Sequence, residues 1–395
     1  MTPAETLLRG VVHCENRQHL SERLNRGEHL RIKFGIDPSA PDIHLGHLVP
    51  MRLLHSWQLE GHLPVLVIGD FTARIGDPSG RSATRPQLTV AEVEANAETY
   101  LEQLFCVIDP AQAEVRRQSE WYDSFDLVAV LRLANTATVA QLLQRSDFEQ
   151  RIRSEQPIGV HELFYPLLQG YDSVAIRADV ELGGSDQLFN LMRAREVQVA
   201  YSQPPQDIVT VPLLEGLDGE IKMSKSLGNA VAVADAANTQ FGQLMSIPDP
   251  LITRYLNLLT ETPAEDLARI ELGLGDGSLN PRDAKADLAE QLITVLHDAG
   301  QASAAREEFF RVHRDHQLPS EIPEARVPIK DGWDVRELLV AAHLATSKGE
   351  AARLIQGGAV ELDGAQVTDW REPVVVAAGA VLRVGARRVA RLVPD

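Results

Sequence analysis

Between Arg31 and Gly69 the spacing of apolar residues changes twice. Arg31-Ile-Lys-Phe-Gly-Ile36 is a short extended run, and Asp37-Pro-Ser-Ala-Pro41 breaks it. From His44 to Glu60 the residues Leu45, Leu48, Val49, Leu53, Leu54 and Trp57 recur at helical spacing. Pro50 should strain or kink the early turns of that helix, because it has no N–H to give and its ring crowds the preceding turn. Gly61 ends the pattern. Pro64-Val-Leu-Val-Ile-Gly69 is then a continuous apolar run, of the kind buried on both faces in a parallel sheet. Strand, helix and strand in this order predict an α/β fold with a doubly wound parallel sheet, whose ligands bind at the carboxyl ends of strands.

Beyond it the pattern predicts a helix-rich stretch from about Val90 to Gln169, then strands at Asp179–Leu182 and Ile208–Val211. Helical spacing returns at Ala237–Leu244, Leu251–Leu259, Arg282–Ala299 and Ala302–Val312. Leu318-Pro-Ser-Glu-Ile-Pro-Glu-Ala-Arg-Val-Pro328 reads as a proline-punctuated linker. A small α+β unit follows, with two short helices and then short strands separated by turns at Asp363-Gly364 and Ala378-Gly379. The expected organisation is a catalytic domain over 1–232 with a helical insertion at about 90–170, a helical domain over 233–320, a linker at 321–332 and a terminal unit over 333–395.

Composition narrows the class. At 395 residues the chain exceeds one ordinary core, and its 44% hydrophobic and 24% charged content is that of a soluble globular protein. The sequence has neither an apolar run long enough to span a membrane nor a secretory signal pattern at its start. Cys14 and Cys106 stand far apart, with no metal-like spacing, which suits a reducing cytoplasm. The net charge of −18 argues against a polyanionic partner, but its distribution changes that. Lys330–Asp395 holds nine basic and nine acidic residues, so all of the excess lies ahead of it. Arg383, Arg387, Arg388 and Arg391 give that neutral segment a local basic edge.

Several chemistries are poorly supported. Gly76-Asp-Pro-Ser-Gly80-Arg81-Ser82 is one residue short of a phosphate-binding Walker loop and has Arg for Lys. His161-Glu-Leu-Phe-Tyr165 has Tyr where a zinc-protease helix needs its second His. Two other stretches are more specific. Asp37-Pro-Ser-Ala-Pro-Asp-Ile-His44-Leu-Gly46-His47 falls at a strand-to-helix junction, where unpaired N–H groups favour anions and Gly46 would let a nucleotide approach. Lys222-Met-Ser-Lys225-Ser226 suits a mobile clamp on polyphosphate.

Together and in this order, the two stretches resemble the paired HIGH and KMSKS signatures of class I aminoacyl-tRNA synthetases. That resemblance implies a Rossmann-like catalytic sheet and an ATP-dependent reaction in which a carboxylate attacks the α-phosphate. It makes His44, His47, Lys222 and Lys225 the expected transition-state residues, with Asp37, Gly46 and Ser226 at the nucleotide. Magnesium is expected with the ATP and without a dedicated protein cage.

The middle of the chain points to the amino acid. Tyr165-Pro-Leu-Leu-Gln169-Gly-Tyr-Asp172 puts Tyr165, Gln169 and Asp172 on one helical face, and a buried carboxylate there needs a partner such as a phenol hydroxyl. The segment resembles the tyrosine-selecting helix of tyrosyl-tRNA synthetases. By that likeness Asp172 accepts from the substrate hydroxyl, while Tyr165, Gln169 and Asp77 contact its amino group. Gly183-Gly184-Ser-Asp186-Gln187 is similar to the family's adenosine- and ribose-binding loop, with Asp186 at the ribose and Gln187 beside the substrate. One departure stands out. Lys33 occupies the place where the better-known bacterial branch has a tyrosine touching the phenol, so either another residue completes that site or Lys33 reaches it.

The tail from Ala345 to Gly364 resembles the RNA-binding motif of ribosomal protein S-four, which would put Lys348 and Arg353 near RNA phosphates. The family implies a cytoplasmic homodimer acting on tRNA(Tyr), L-tyrosine and ATP, with no membrane partner. Two other readings remain at this point: a tryptophanyl enzyme, which shares the catalytic fold, and an RNA-binding protein that has lost catalysis.

Overall fold

Val65, Leu66, Val67 and Ile68 are all buried, as a strand covered on both faces requires. They belong to β3 (Leu63–Ile68), which pairs in parallel with β2 (Arg31–Ile36) and β4 (Glu114–Arg117). On the other side of β2 lie β5 (Val180–Gly184) and β6 (Asp207–Val211), also parallel, and β1 (His13–Glu15) closes that edge antiparallel to β6. The sheet order is β1-β6-β5-β2-β3-β4. Chain direction across the sheet therefore reverses between β2 and β5, and the crevice at their carboxyl ends is where such a sheet receives ligands.

The computed structural model describes residues 3–39, 41–75, 88–314, 317–318, 320, 322–328, 330, 332–385 and 388–394. It divides into two compact units, Met1–Ala302 and Ser303–Asp395. In the first, α1 (Leu45–Leu59) follows β2, and α2 (Val90–Leu104), α3 (Val160–Ile176) and α4 (Leu188–Ala200) surround the crevice. Helices α3 and α4 cross closely at Gly170, where a Cβ would sit 2.9 Å from Val197 Cγ2 and 3.1 Å from the Ala194 Cα.

Two expectations need correction, at β4 and at β7. The stretch expected to be helical over about 90–170 contains β4, whose Glu-Val-Arg-Arg composition carries no apolar run because the strand lies at the sheet edge. Helix α1 includes Pro50, whose missing N–H leaves the Gly46 carbonyl in the first turn without that donor. The segment expected as linker contains β7 (Glu324–Val327), which pairs in parallel with β11 (Arg388–Pro394). Pro323 and Pro328 flank β7, and an edge strand tolerates prolines at its ends.

In the second unit the sheet order is β7-β11-β10-β8-β9, with β8 (Val360–Leu362), β9 (Ala365–Gln366) and β10 (Val381–Val384). Helices α5 (Val335–Ala341) and α6 (Lys348–Gln356) complete it. Their Leu338, Leu339 and Ile355 bury with Val360, Leu382 and Leu392 as a core within that unit. Among the described residues, no helix is long and apolar enough to cross a membrane.

Candidate active site

His44 caps α1. Its Nδ1 accepts the Gly46 N–H at 3.2 Å, while the His44 N–H donates to His47 Nδ1 at 3.2 Å. The rings lie 4.1 Å apart, centroid to centroid. Burial, then each other's proximity and the two lysines of the 222–226 loop, push His44 down to about 3; burial alone is the main cause that brings His47 to about 4. Both rings are therefore neutral near pH 7. With Nδ1 accepting, His44 carries its proton on Nε2 and is a donor at that atom, whereas His47 Nδ1 lies 3.2 Å from the His44 N–H and 3.3 Å from the His44 carbonyl. Gly46 is required by packing: a Cβ there would stand 2.9 Å from both Cε1 and Nδ1 of His44.

The second signature loop is held against the first. Leu45 N–H donates to the Val231 carbonyl and Val233 N–H to that of Ile43, which ties the chain after the loop to the entry of α1. Buried Met223 anchors the loop, its N–H bonded to the Leu214 carbonyl. On either side of it, Lys222 Nζ lies 3.5 Å from Asp186 Oδ2, and Lys225 Nζ lies 2.7 Å from Asp42 Oδ2. The Ser224 and Ser226 hydroxyls are 2.9 Å apart. His44, Gly46, His47, Asp186, Lys222, Lys225 and Ser226 all line one cleft of about 690 Å³.

A deeper cavity of about 250 Å³ shares His47, Gly184 and Gln187 with that cleft. Asp37, Tyr165, Gln169, Asp172 and Gly183 complete its expected residues. At the end of β2, Asp37 accepts the Thr72 hydroxyl at 2.7 Å and the Tyr165 hydroxyl at 2.8 Å. Gly69, at the end of β3, makes room for it, since a Cβ there would overlap Asp37 Oδ1 at 2.0 Å. Asp172 is 2% exposed and accepts Gln118 Nε2 at 2.8 Å and Trp121 Nε1 at 3.1 Å; the Tyr122 hydroxyl, 3.1 Å away, shares its one proton with the Leu168 carbonyl at 2.6 Å. Burial pushes its carboxyl up to about 7, opposed chiefly by Lys33.

The family model of the tRNA synthetases class I (W and Y) matches residues 25–314. The tyrosine–tRNA ligase of Moorella thermoacetica is 48% identical over 98% of this chain and 94% of its own length. That of Thermotoga maritima is 46% identical over 99% of this chain and 98% of its own. The chain belongs to the class I tRNA synthetases of this group.

Solved structures extend the likeness at the level of fold. A C-terminally truncated mitochondrial tyrosyl-tRNA synthetase of Aspergillus nidulans superposes with a TM-score of 0.68 at 22% identity, over 80% of this chain and 94% of that one. The Archaeoglobus fulgidus tyrosyl-tRNA synthetase, complexed with L-tyrosine, gives 0.63 at 23% identity, over 76% and 98%.

In this synthetase the fold brings the expected residues of the first unit into the two connected spaces, with one exception. Asp77 lies outside the described residues. Lys348 and Arg353 stand on α6 in the second unit, both exposed, with Lys348 Nζ 2.7 Å from Glu337 Oε1. The Lys33 ammonium is held by Glu181, Ser173 and the Gln169 carbonyl. Gln118, Trp121 and Tyr122 were missed from the sequence. They follow directly on β4, so identifying that strand would have placed Gln118 at a carboxyl end facing the crevice. Among the described residues no group of three His, Cys, Asp or Glu could hold a metal ion.

Proposed function

We propose that this synthetase is a tyrosine–tRNA ligase, which activates L-tyrosine with ATP and transfers the tyrosyl group to the 3′ end of tRNA(Tyr). The observation that carries this reading is the buried Asp172 lining a cavity that shares His47, Gly184 and Gln187 with the cleft of the two signature stretches. With its protein donors in place, Asp172 still has lone-pair capacity for a phenol hydroxyl, as a carboxylate accepts about four hydrogen bonds. Tryptophan offers no hydroxyl at that depth.

In the first step a tyrosine carboxylate oxygen attacks the α-phosphorus. The bond to the bridging oxygen breaks and its electron pair leaves with pyrophosphate. The attacking group is already an anion, so the protein's task is to place the reactants and stabilise charge on phosphate. His44 supplies a neutral Nε2–H donor, and His47 a second neutral imidazole beside it. Lys222 and Lys225 exchange Asp186 and Asp42 for phosphate oxygens. Asp186 is then free for the ribose hydroxyls, beside Gly183 and Gly184, whose lack of side chains keeps that wall low. A Cβ on Gly184 would lie 2.7 Å from Asp186 Oδ1. Tyr165, Gln169 and Asp77 take the ammonium of tyrosine, and Gln187 lies beside the substrate. Magnesium enters on the ATP phosphates as part of the substrate. In the second step a ribose hydroxyl of the tRNA attacks the acyl carbon, and AMP leaves.

The second unit fits an RNA-binding module of the ribosomal-protein-S-four type, with Lys348 and Arg353 toward phosphates, and the helical segment 233–320 an anticodon-side domain. Exposed Leu127, Val128, Leu131, Val139 and Val160 support a homodimer in which a second copy covers this apolar surface. The proposed compartment is the cytoplasm. Charging of tRNA(Tyr) with labelled tyrosine, dependent on ATP, tests the reading; charging with tryptophan in its place would overturn it.

A further inference from the structure

In the wall of the cavity, which Glu181 lines together with Gln169, lies a buried ion pair that takes no part in the steps above. Lys33 Nζ stands 2.9 Å from Glu181 Oε1, with side chains 0% and 1% exposed. The ammonium also donates to the Gln169 carbonyl at 2.6 Å and to Ser173 Oγ at 2.9 Å. Glu181 in turn accepts Gln169 Nε2 at 3.1 Å, Ser173 Oγ at 3.2 Å and Gln206 Nε2. Well-packed apolar residues often replace such a pair without loss, so stability alone is a weak reason for it.

Its consequence falls on the Gln169 side chain. An amide can turn either its oxygen or its nitrogen to a neighbour, and the neighbours decide which. Paired with an ammonium, Glu181 is a carboxylate that only accepts, so it draws Nε2 of Gln169 to itself. Oε1 is left as the atom able to receive a donor, and it is buried with no hydrogen-bond partner among the described residues. Gln206 repeats the pattern, Nε2 on Glu181 and Oε1 buried without a partner. Of the two, Gln169 lines the cavity, beside Tyr165 and Asp172.

We propose that the Lys33–Glu181 pair is a positioning device that fixes the Gln169 amide with its oxygen as acceptor for the substrate's α-ammonium. The pair thereby selects a free amino acid over the same molecule without its amino group. This rests on reading the cavity as the tyrosine site, with Gln169 at the ammonium.

The test compares binding of L-tyrosine with that of 3-(4-hydroxyphenyl)propanoate, which keeps the phenol and carboxylate and lacks the ammonium, by calorimetry on the full chain. Loss of one charge-assisted hydrogen bond changes affinity by at least about 10-fold. In the double variant Lys33→Met/Glu181→Gln the preference for tyrosine is expected to fall by that factor, wholly through weaker tyrosine binding. An unchanged preference, or equal weakening of both ligands, overturns the proposal. Gln169→Met separates the two levels. If it abolishes the preference and the double variant does not, Gln169 binds the ammonium and the pair does not position it. If it leaves the preference intact, the assignment of Gln169 to the ammonium fails first, and the proposal with it. Should the double variant not fold, a neutron structure of the unaltered enzyme with tyrosine decides. Deuterons on the Gln169 atom facing Glu181 support the proposal, and deuterons on the atom facing the ammonium overturn it.

Discussion

Lys225 Nζ lies 2.7 Å from Asp42 Oδ2, so the cation of the second signature loop is tied to the segment that leads into His44. Both side chains are more than a third exposed or close to it, at 35% and 40%, and an ion pair in that setting contributes little. A triphosphate offers Lys225 more charge than one carboxylate, so in the proposed reaction ATP displaces Asp42. Lys225→Ala is expected to slow adenylate formation by about 100-fold, the scale of losing one donor to developing charge, with tyrosine binding unchanged. Stopped-flow formation rates beside equilibrium tyrosine binding measure both. A near-normal rate would make Lys225 an ordinary solvated lysine.

The packing of Gly46 gives a second expectation. An added methyl would meet the His44 ring at 2.9 Å, and that ring is braced by the Gly46 N–H. Gly46→Ala should therefore turn His44 out of place and lower the rate of adenylate formation by about 10- to 100-fold, as expected for displaced general positioning. The thermal transition of the variant should stay within a few degrees of the original. Full activity would show that His44 has no fixed part in the chemistry.

Asp172 and the histidines predict different pH profiles. The Asp172 carboxyl, raised to about 7 by burial, must be ionised to accept the phenol, and Lys33, Glu181 and Tyr122 are the groups that bear on it. Binding of tyrosine therefore releases a proton, and affinity should rise with pH through about 7 and level off above it. His44 and His47, lowered to about 3 and about 4, stay neutral over the same range. The rate at saturating tyrosine should thus show no histidine limb while the dissociation constant for tyrosine changes. A rate limb near the ordinary histidine value would mean that these rings charge during the reaction.

The second unit should serve tRNA and not activation. Because β7 pairs with β11, a cut at Pro328 would strip one strand from the terminal sheet, so the informative truncation ends at Arg314. That chain is expected to keep tyrosine-dependent pyrophosphate exchange and to lose most tRNA charging. Loss of exchange as well would show that the terminal unit supports the catalytic one.

Those elements of the sheet that bury both faces were legible in the sequence, because β2, β3, β5 and β6 must be apolar where helices cover them. The edge strands β1 and β4 carry no such demand, and His13-Cys-Glu15 and Glu114-Val-Arg-Arg117 gave no periodic signal. For the site, residues in signature order were legible, since phosphate chemistry restricts their types. The donors to Asp172 were not. Gln118, Trp121 and Tyr122 are ordinary in sequence, and only the return of β4 to the sheet sets them against α3. Lys33 stands out in the sequence as the departure from the family's phenol-contacting tyrosine, and its partner Glu181, on a strand far along the chain, carries no local signal.

In the proposed reaction this site activates tyrosine and recognises it at Asp172. Amino-acid-dependent exchange of labelled pyrophosphate into ATP, run with tyrosine, phenylalanine and tryptophan, tests it most directly. Leaving a buried charged acceptor without its donor costs more than a neutral one, which by itself costs about 1–3 kcal/mol. The unaltered enzyme should therefore prefer tyrosine to phenylalanine by more than about 100-fold in kcat/KM, and Asp172→Ala should remove most of that preference. Equal exchange with phenylalanine or tryptophan, or an Asp172→Ala variant that still discriminates, would mean that the site does not select tyrosine through Asp172.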